Sequence, residues 1–283
     1  MSDIAETLKQ ATQILRVNEI ADPRREAGLL LSLALGKNQT FLIAHPEYKL
    51  TIPEQKLFAE YLKRRAGREP YQYIAGRQEF YGLDFIVTPD VLIPRPETEM
   101  IVEMSLAILK DIAKPLFCEM GVGSGCISIS ILHHLKSAEA DGVDCSPMAL
   151  EVAEKNAIRH NVADRLTLAI SNALDVFESA PHFDLIVSNP PYVPVEDFES
   201  LQAEVRDYEP AIALTDNSDG LSLIKKLIAD SPQYLKPNGY LLIEIGFQQA
   251  QAVGRMVSFD TWRSFEILPD LQGIPRMVKL QKI

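Results

Sequence analysis

The first part of the chain has apolar residues at helical spacing and few signs of strands. One face of the first predicted helix carries Ile4, Leu8, Ala11 and Leu15. A second apolar stretch at residues 27–35 ends at Gly36, and a third, amphipathic helix begins at Pro53 and runs to about Ala66. This pattern predicts a small helical domain over residues 1–74, in which no catalytic residues stand out.

After residue 74 the pattern becomes typical of β-structure. Aromatic and β-branched residues surround Gly82 in the stretch 79–87, which predicts a hairpin within a linker over residues 75–95. From residue 96 to 283, short apolar strands alternate with helices. The predicted strands cover residues 116–120, 141–144, 166–170, 183–188, 240–245, 262–268 and 277–280, and the predicted helices cover residues 126–135, 147–160 and 219–235, the last stopped by Pro237-Asn238-Gly239. This alternation predicts an α/β fold: a Rossmann-like, mostly parallel sheet with an antiparallel closing strand, and with ligands at the carboxyl ends of its strands.

The composition is ordinary for a soluble globular protein. Of the 283 residues, 47% are hydrophobic and 24% are charged. No apolar run is long enough to span a membrane, and the first residues lack the apolar core of a signal peptide. We therefore expect a cytoplasmic protein without membrane association.

The net charge of −11 is concentrated in the C-terminal part of the chain. Residues 1–75 hold 11 Lys and Arg against 9 Asp and Glu, whereas the remaining residues hold 17 against 30. So acidic a part repels phosphate backbones, and we expect no direct binding of long nucleic acid, although a local basic groove is compatible with these charges. The run Lys63-Arg64-Arg65 is typical of a solvated helix face, and it also suits an acidic partner.

The three cysteines give no sign of covalent or metal chemistry. Cys118, Cys126 and Cys145 are an odd number without CxxC spacing, and each lies in or beside an apolar segment. We therefore expect buried thiols, with neither a disulfide nor a metal site.

A glycine-rich loop from Glu119 to Gly125 follows a predicted strand and begins a helix. Its glycines at positions 121, 123 and 125 let the backbone turn sharply and approach a ligand closely. A dinucleotide-binding loop would have its third glycine where Cys126 stands, so no pyrophosphate site is predicted. Asp144 ends the next strand, where a carboxylate is suited to accept hydrogen bonds from both ribose hydroxyls of an adenosine. The loop and Asp144 together favour an adenosine-containing ligand over a simple tight turn.

The sequence Ser188-Asn189-Pro190-Pro191-Tyr192 ends the fourth strand of the predicted sheet. The two prolines hold the backbone extended and remove two N–H donors, so the remaining acceptors are the Asn189 side-chain oxygen and the Pro190 carbonyl. A planar NH₂ group needs one acceptor for each N–H, and Tyr192 offers a flat face for a planar substrate. This arrangement predicts a site for an amide or exocyclic amine, in preference to an ordinary proline-rich turn.

The nitrogen of such a group is a poor nucleophile because its lone pair is delocalised. Two acceptors that hold its protons raise the electron density on nitrogen and orient it for an in-line displacement. A strong general base is not needed before the transfer, since the proton becomes acidic only as the new bond to nitrogen forms. No histidine lies near the motif, which agrees with this hypothesis.

The sequence Asn-Pro-Pro-Tyr resembles the motif of methyltransferases that act on planar nitrogens: DNA adenine, rRNA guanine or protein glutamine. Further stretches, spread over essentially the whole chain, resemble the protein-glutamine methyltransferases that modify peptide chain release factors. They are residues 72–76, 80–82, 92–99, 219–221, 244–246 and 270–276. The resemblance implies a class I methyltransferase fold that uses S-adenosyl-L-methionine to methylate the glutamine side-chain amide in the Gly-Gly-Gln motif of class 1 release factors.

The resemblance also implies site residues. Cofactor contacts are implied for Glu119, Gly121, Val122, Gly123, Ser124, Gly125, Asp144, Asn172, Ala173 and Asn189. Substrate contacts are implied for Asn189, Pro190, Pro191 and Tyr192, of which Asn189, Pro190 and Tyr192 are the candidate catalytic residues. Glu119 and Asn172 each stand where the family usually has Asp. No metal is implied, and the helical N-terminal domain would recognise the protein substrate.

Three other functions are compatible with the sequence. A glutamine methyltransferase of a ribosomal protein would use the same chemistry on another partner. A DNA or rRNA base amino-methyltransferase is disfavoured by the acidic C-terminal part and by the lack of an inserted base-reading domain. A non-catalytic binding module is disfavoured because the glycine loop, Asp144 and Asn189 are all intact.

Two further stretches have more than one interpretation. Residues 95–99 fit a helix start, with Pro96 early and acidic residues in the first turn, as well as they fit the entrance of a pocket. Glu244 ends a predicted strand on the side where ligands bind, and a structural hydrogen-bonding role is equally compatible with that position.

Overall fold

A computed structural model describes residues 2–283, which divide into two compact units. The N-terminal unit contains the chain up to Gly76 together with Gln202–Tyr208. The larger unit contains Arg77–Leu201 and Glu209–Ile283. The smaller unit therefore includes a short segment from far along the chain, which the sequence pattern does not predict.

The secondary structure alternates between helices and strands from Arg77 onward. The helices are α1 (Ile4–Val17), α2 (Pro23–Leu35), α3 (Gln39–Ala44), α4 (Ile52–Ala66), α5 (Tyr71–Ala75), α6 (Glu99–Leu109), α7 (Cys126–His134), α8 (Pro147–Arg159), α9 (Ala203–Tyr208), α10 (Ala211–Leu214), α11 (Ser222–Asp230) and α12 (Ala250–Gly254). The strands are β1 (Arg77–Phe80), β2 (Leu83–Ile86), β3 (Leu116–Met120), β4 (Glu139–Asp144), β5 (Leu166–Ile170), β6 (Phe183–Ser188), β7 (Leu235–Glu244), β8 (Trp262–Pro269) and β9 (Pro275–Lys282). Within residues 2–283, none of the helices combines the length and the apolar character that a membrane crossing requires.

Polar residues at the helix ends explain where two of the N-terminal helices begin. The Asp3 side chain accepts a hydrogen bond from the Glu6 N–H at 2.9 Å and caps α1. At α4, the Thr51 N–H donates to the Glu54 side chain at 2.7 Å while the Glu54 N–H donates to the Thr51 hydroxyl, a reciprocal capping box. The short helices α3 and α5 are missing from the prediction because neither is long enough to show a helical period.

A buried arginine lies on α4, where the sequence predicts a solvated face. The Arg65 side chain donates to Glu26 on α2 at 2.7 Å and lies 3.4 Å from Glu204 on α9, and only 7% of the residue is exposed. An unpaired buried guanidinium is costly, so two carboxylate partners make this burial possible. The prediction of a solvated face is therefore wrong for Arg65, which joins three helices of the N-terminal unit.

The larger unit begins with the predicted hairpin and contains one large sheet. Strands β1 and β2 pair antiparallel, with Phe80 opposite Leu83. The large sheet has the order β5-β4-β3-β6-β7-β9-β8, in which the first five strands are parallel and the last two are antiparallel to their neighbours. The predicted α/β fold with an antiparallel closure is thus confirmed.

Apolar side chains cover both faces of this sheet, as its near-continuous hydrophobic strands require. On β3, Phe117 points to the layer that contains α6, α7 and α8, whereas Cys118 and Met120 point to the layer that contains α11. On β6, Leu185 and Ile186 alternate in the same way. The central strands are therefore buried between two apolar layers.

The prediction is wrong between residues 219 and 245. Helix α11 is shorter than predicted, and β7 already begins at Leu235, so Pro237-Asn238-Gly239 lie within the strand and do not stop a helix. The pairing with β6 passes from Phe183 opposite Leu235 directly to Leu185 opposite Tyr240, and residues 236–239 loop out between these pairs. A bulge of this kind accommodates a proline inside a strand because the residues in it need not donate to the ladder.

The cysteines are free thiols in two different environments. Cys118 on β3 and Cys126 on α7 are buried as predicted, but Cys145 is exposed. Cys145 follows the last residue of β4, where the chain leaves the sheet toward α8, so its apolar neighbours in sequence do not cover it. The prediction of a buried thiol is therefore wrong for Cys145.

The order of the strands creates a crevice in the larger unit. The chain goes from β3 to β4 on one side, and it later continues from β6 to β7 on the other. When the loops after two neighbouring parallel strands run in opposite directions, an opening forms between the carboxyl ends of those strands. Ligands of such sheets bind in this opening. The opening here lies between the ends of β3 and β6.

Candidate active site

A cavity of about 420 Å³ lies at this opening, within the size range of small-molecule sites. The predicted site residues that line it are Glu119, Gly121, Val122, Gly123, Ser124, Asp144, Asn172, Asn189 and Pro191. They come from the loops after β3, β4, β5 and β6, so residues far apart in sequence meet here. Gly125, Ala173, Pro190 and Tyr192 are not among the lining residues.

Gly125 and Ala173 support the cavity from behind its lining. Gly125 has a φ angle of 80°, which favours glycine at the start of α7, and a Cβ atom there would also lie 2.7 Å from the Ile129 Cδ1 atom. Ala173 is buried, and its N–H and carbonyl both bond to the Ser171 hydroxyl, at 3.3 and 2.8 Å. Both residues therefore support the cavity structurally, and their contacts with the cofactor remain predictions.

Asp144 is held in a fixed orientation at the end of β4. One carboxylate oxygen accepts the Gly123 N–H at 2.9 Å, and the other accepts the Ser146 N–H at 2.9 Å. Gly121 and Gly123 both have positive φ angles, of 77° and 54°, which turns the loop toward this carboxylate. A carboxylate accepts about four hydrogen bonds, so each oxygen of Asp144 retains capacity for a ligand hydroxyl.

Glu119 is a buried acid with one oxygen left without a partner. Its Oε2 accepts from the Ser128 N–H at 2.9 Å and from the Ser128 hydroxyl. Its Oε1 is buried, and no group within residues 2–283 hydrogen bonds to it. Burial raises the pKa of Glu119 to about 8. An oxygen of this kind on the cavity wall is suited to an ammonium group. A bound ammonium group would donate a hydrogen bond to this oxygen, and its positive charge would stabilise the ionised carboxylate.

S-adenosyl-L-methionine carries the groups that these residues require. Its ribose offers two hydroxyls to Asp144, and its amino-acid part offers an ammonium group to the unpartnered oxygen of Glu119. Glu119 is one methylene longer than the Asp usual in the family, and the buried carboxylate reaches Ser128 on α7. The residues present therefore fit this cofactor.

A hydrogen-bonded chain links Asn189 to a buried acid. The Asn189 Nδ2 donates to the Thr98 Oγ1 at 3.0 Å, and the Thr98 hydroxyl donates to the Glu244 Oε2 at 2.7 Å. The Tyr192 hydroxyl donates to the other oxygen of Glu244 at 3.2 Å. Burial raises the pKa of Glu244, and burial together with the nearby Glu244 carboxylate raises the pKa of Tyr192.

Tyr192 and its neighbours hold the Asn-Pro-Pro-Tyr loop in place. The Gln249 side chain donates to the Tyr192 carbonyl at 2.9 Å and accepts from the Gly246 N–H at 2.8 Å. A Cβ atom on Gly220 would lie 2.1 Å from the Tyr192 carbonyl oxygen, so only glycine fits there. Since Tyr192 anchors the loop and does not line the cavity, its contact with a substrate remains a prediction.

Sequence reasoning assigned no role to several of these residues. Thr98 and Gln249 were not singled out, and Glu244 had two open interpretations. The resemblance in the stretches 92–99, 219–221 and 244–246 is the sequence signal that points to such residues. Thr98, in the first stretch, contacts Asn189. Gly220 and Glu244, in the other two, contact Tyr192.

Comparison with known proteins shows the family to which the chain belongs. Residues 6–76 match the PrmC N-terminal domain family, and residues 103–204 match the methyltransferase small domain family. The chain is 40% identical over 276 residues to a release factor glutamine methyltransferase of Koribacter versatilis, covering 96% of this chain and 97% of that protein. It is 43% identical over 259 residues to one of Geobacter sulfurreducens, covering 92% of this chain and 89% of that protein. The chain belongs to the release factor glutamine methyltransferase family.

A solved structure supports the fold that this family membership implies. A methyltransferase from Pyrococcus furiosus superimposes with a TM-score of 0.52, covering 78% of this chain and 98% of that chain, at 17% identity. At such an identity the likeness bears on the fold alone. The resemblance to release factor glutamine methyltransferases is confirmed by the relatives, and the methyltransferase fold by this structure.

We expect replacement of Asp144 by Ala to weaken the binding of S-adenosyl-L-methionine. Loss of one charge-assisted hydrogen bond, worth about 1.5–3 kcal/mol, lowers affinity by about ten- to a hundredfold, and loss of both lowers it further. Isothermal titration measures this, with Asp164→Ala as control, because Asp164 is exposed and does not line the cavity. Unchanged affinity in the folded Asp144→Ala variant would remove Asp144 from the site.

We expect the contribution of Glu119 to the stability of the ligand-free protein to fall as pH rises from about 4.5 to 8. Glu119 has an ordinary pKa of 4.5 when unfolded and about 8 when folded, so the folded state binds more protons in this window. Stability then decreases with pH, by a few kcal/mol in all (about 1.4 kcal/mol per pKa unit). Denaturant titrations at several pH values should give a flatter dependence for Glu119→Gln, and a slope equal to that of the unmodified protein would contradict the assignment.

Proposed function

We propose that the protein transfers a methyl group from S-adenosyl-L-methionine to the side-chain amide nitrogen of the glutamine in the Gly-Gly-Gln motif of class 1 release factors. The observation that carries the proposal is the position of Asn189. It lines the same cavity as Glu119 and Asp144, and its carbonyl lies beside Gly121, where an added Cβ would be 3.9 Å away. An amide held by Asn189 therefore meets a cofactor held by the other two residues.

The cavity residues bind and orient the methyl donor. S-adenosyl-L-methionine supplies a methyl group on a sulfonium, which a nucleophile displaces with a neutral thioether as the leaving group. Asp144 holds the ribose, and Glu119 holds the ammonium group of the amino-acid part. Asn172, whose side chain is exposed on the cavity wall, offers its amide oxygen to the adenine amino group.

The Asn-Pro-Pro-Tyr loop orients the substrate amide. The Asn189 Oδ1 accepts one N–H of the glutamine side chain, and the Pro190 carbonyl accepts the other. Both contacts raise the electron density on nitrogen and hold it in line with the methyl group. Pro191 lines the cavity and closes it on the substrate side. The lost proton becomes acidic only as the bond forms, so the reaction needs no strong base, and no histidine of residues 2–283 lines the cavity.

The partner we propose is a release factor, which the N-terminal helical unit recognises, with residues 75–95 as the link to the methyltransferase domain. Translation termination takes place in the cytoplasm, so we propose that the protein acts there. The excess of acidic residues after residue 75 supports a protein substrate over a long nucleic acid.

We expect Asn189→Ala to lose about a hundredfold or more in turnover, because one substrate N–H loses its acceptor in the transition state. Transfer of a labelled methyl group to a release factor measures the rate. The melting temperature and the affinity for S-adenosyl-L-methionine serve as controls for folding and cofactor binding. A folded variant with near-normal turnover would remove Asn189 from its proposed role.

We expect a release factor with Asn in place of the Gly-Gly-Gln glutamine to receive little or no methyl group. Asparagine is one methylene shorter, so its amide misses the in-line position by more than about an ångström, which costs roughly a hundredfold in rate. Mass spectrometry after incubation compares the two substrates, with ribosomal proteins, rRNA and DNA as parallel candidates. Equal methylation of both release factors, or methylation of another candidate only, would overturn the proposed substrate.

A further inference from the structure

We propose that Thr98 and Glu244 act as positioning residues that determine which way the Asn189 amide faces. In this arrangement the Asn189 oxygen, and not its nitrogen, is available to the substrate amide. The inference rests on the proposed function, since it concerns how that same site holds its target. It assigns a role to Glu244 and to one residue of the stretch 95–99, both of which have two interpretations in the sequence.

The orientation matters because the two ends of an asparagine amide are nearly equal in shape but opposite in chemistry. The oxygen accepts hydrogen bonds, whereas the NH₂ group only donates them. A substrate amide also presents an NH₂ group to Asn189. If Asn189 turned its own NH₂ group toward the substrate, two donors would meet and the nucleophilic nitrogen would lose an acceptor.

The Thr98 hydroxyl distinguishes the two orientations because it has a single proton. That proton goes to the Glu244 Oε2, since the two oxygens are 2.7 Å apart and a carboxylate can only accept. The Thr98 oxygen is then left to accept a hydrogen bond, and the Asn189 Nδ2 supplies one at 3.0 Å. The opposite orientation would place the Asn189 oxygen against the Thr98 lone pairs.

Burial and a second donor keep this direction of hydrogen bonding. Thr98 is 2% exposed and Glu244 is 1% exposed, so water does not supply an alternative proton to either. The Tyr192 hydroxyl donates to the remaining oxygen of Glu244 at 3.2 Å. Burial, with a smaller effect of the Glu97 charge, raises the pKa of Glu244, and the bonds from Thr98 and Tyr192 and the charge of Arg276 oppose that rise in part.

The variant that tests the proposal is Thr98→Val, which keeps the shape of the side chain and removes its hydroxyl. Without that hydroxyl the Asn189 NH₂ group has no acceptor on this side, so the reversed orientation becomes the favoured one. We expect kcat to fall about tenfold, in proportion to the fraction of the protein in which the Asn189 oxygen still faces the substrate. The KM for the release factor and the affinity for S-adenosyl-L-methionine should stay within about twofold, because Thr98 lines the cavity with only 2% of its surface exposed and valine keeps its shape there. Thr98→Ser restores the hydroxyl and should recover most of kcat.

A matched control removes a different buried hydroxyl of the same unit. Ser105 on α6 is fully buried and donates to the Ile101 carbonyl at 2.6 Å, and it does not line the cavity. Ser105→Ala should leave kcat unchanged, and the melting temperatures of both variants give the stability that each has lost. An equal loss of kcat in both variants would mean that Thr98 acts through stability alone.

The decisive measurement is the same Thr98→Val change in an Asn189→Ala background, followed by transfer of a labelled methyl group in single turnovers. If Thr98 acts through the Asn189 amide, the change costs nothing further once that amide is absent. Wild-type kcat in Thr98→Val, or an equal fold-loss in both backgrounds, would overturn the proposal. Failure of the proposed function would instead appear in the unmodified protein, as an absence of methyl transfer to the release factor.

Discussion

The parallel pairing of β3 with β6 is the constraint on which the candidate site depends. Met120 lies opposite Ser188, and the Ser188 hydroxyl also donates to the Met120 carbonyl at 2.8 Å. The next residue on each strand, Gly121 or Asn189, therefore leaves the sheet at the same level. A slip of this register would separate the glycine loop from the Asn-Pro-Pro-Tyr loop, although each loop would keep its own conformation. Long-range strand pairing, more than either motif, thus brings the proposed cofactor side and the proposed substrate side of the site together.

Glu119 and Glu244 are both buried acids of the candidate site, but they differ in how completely their oxygens are hydrogen bonded. Glu244 has both oxygens occupied by hydroxyl donors, whereas Glu119 has one oxygen without a partner. A fully satisfied buried acid rigidifies its surroundings, and an unsatisfied one carries a cost that a suitable ligand removes. Glu244 is therefore suited to hold the proposed substrate side of the site rigid, and Glu119 is suited to bind a positively charged ligand. The same residue type serves both needs because its neighbours differ.

Local patterns in the sequence predicted the strands and the loops that carry chemistry, but not the contacts that support them. The bounds of β3, β5 and β6 agree with the prediction, because short apolar runs between polar turns mark buried strands well. Asp144 and Asn189 could be proposed as site residues because Asp144 ends one strand and Asn189 directly follows another. The bond between Thr98 and Glu244 joins residues 146 positions apart, and that between Arg65 and Glu204 joins residues 139 apart. Neither leaves a local period or motif, so only the tertiary structure reveals them.

The membership of Gln202–Tyr208 in the N-terminal unit has a consequence for synthesis of the chain. A unit that lies first in sequence would ordinarily complete its folding first, as the chain emerges from the ribosome. Here the buried Arg65 lacks one of its two carboxylate partners until Glu204 has been synthesised. By that point β3, β4, β5 and β6 of the larger unit have already emerged. The helical unit is thus discontinuous, and its assembly cannot finish before most of the sheet strands exist.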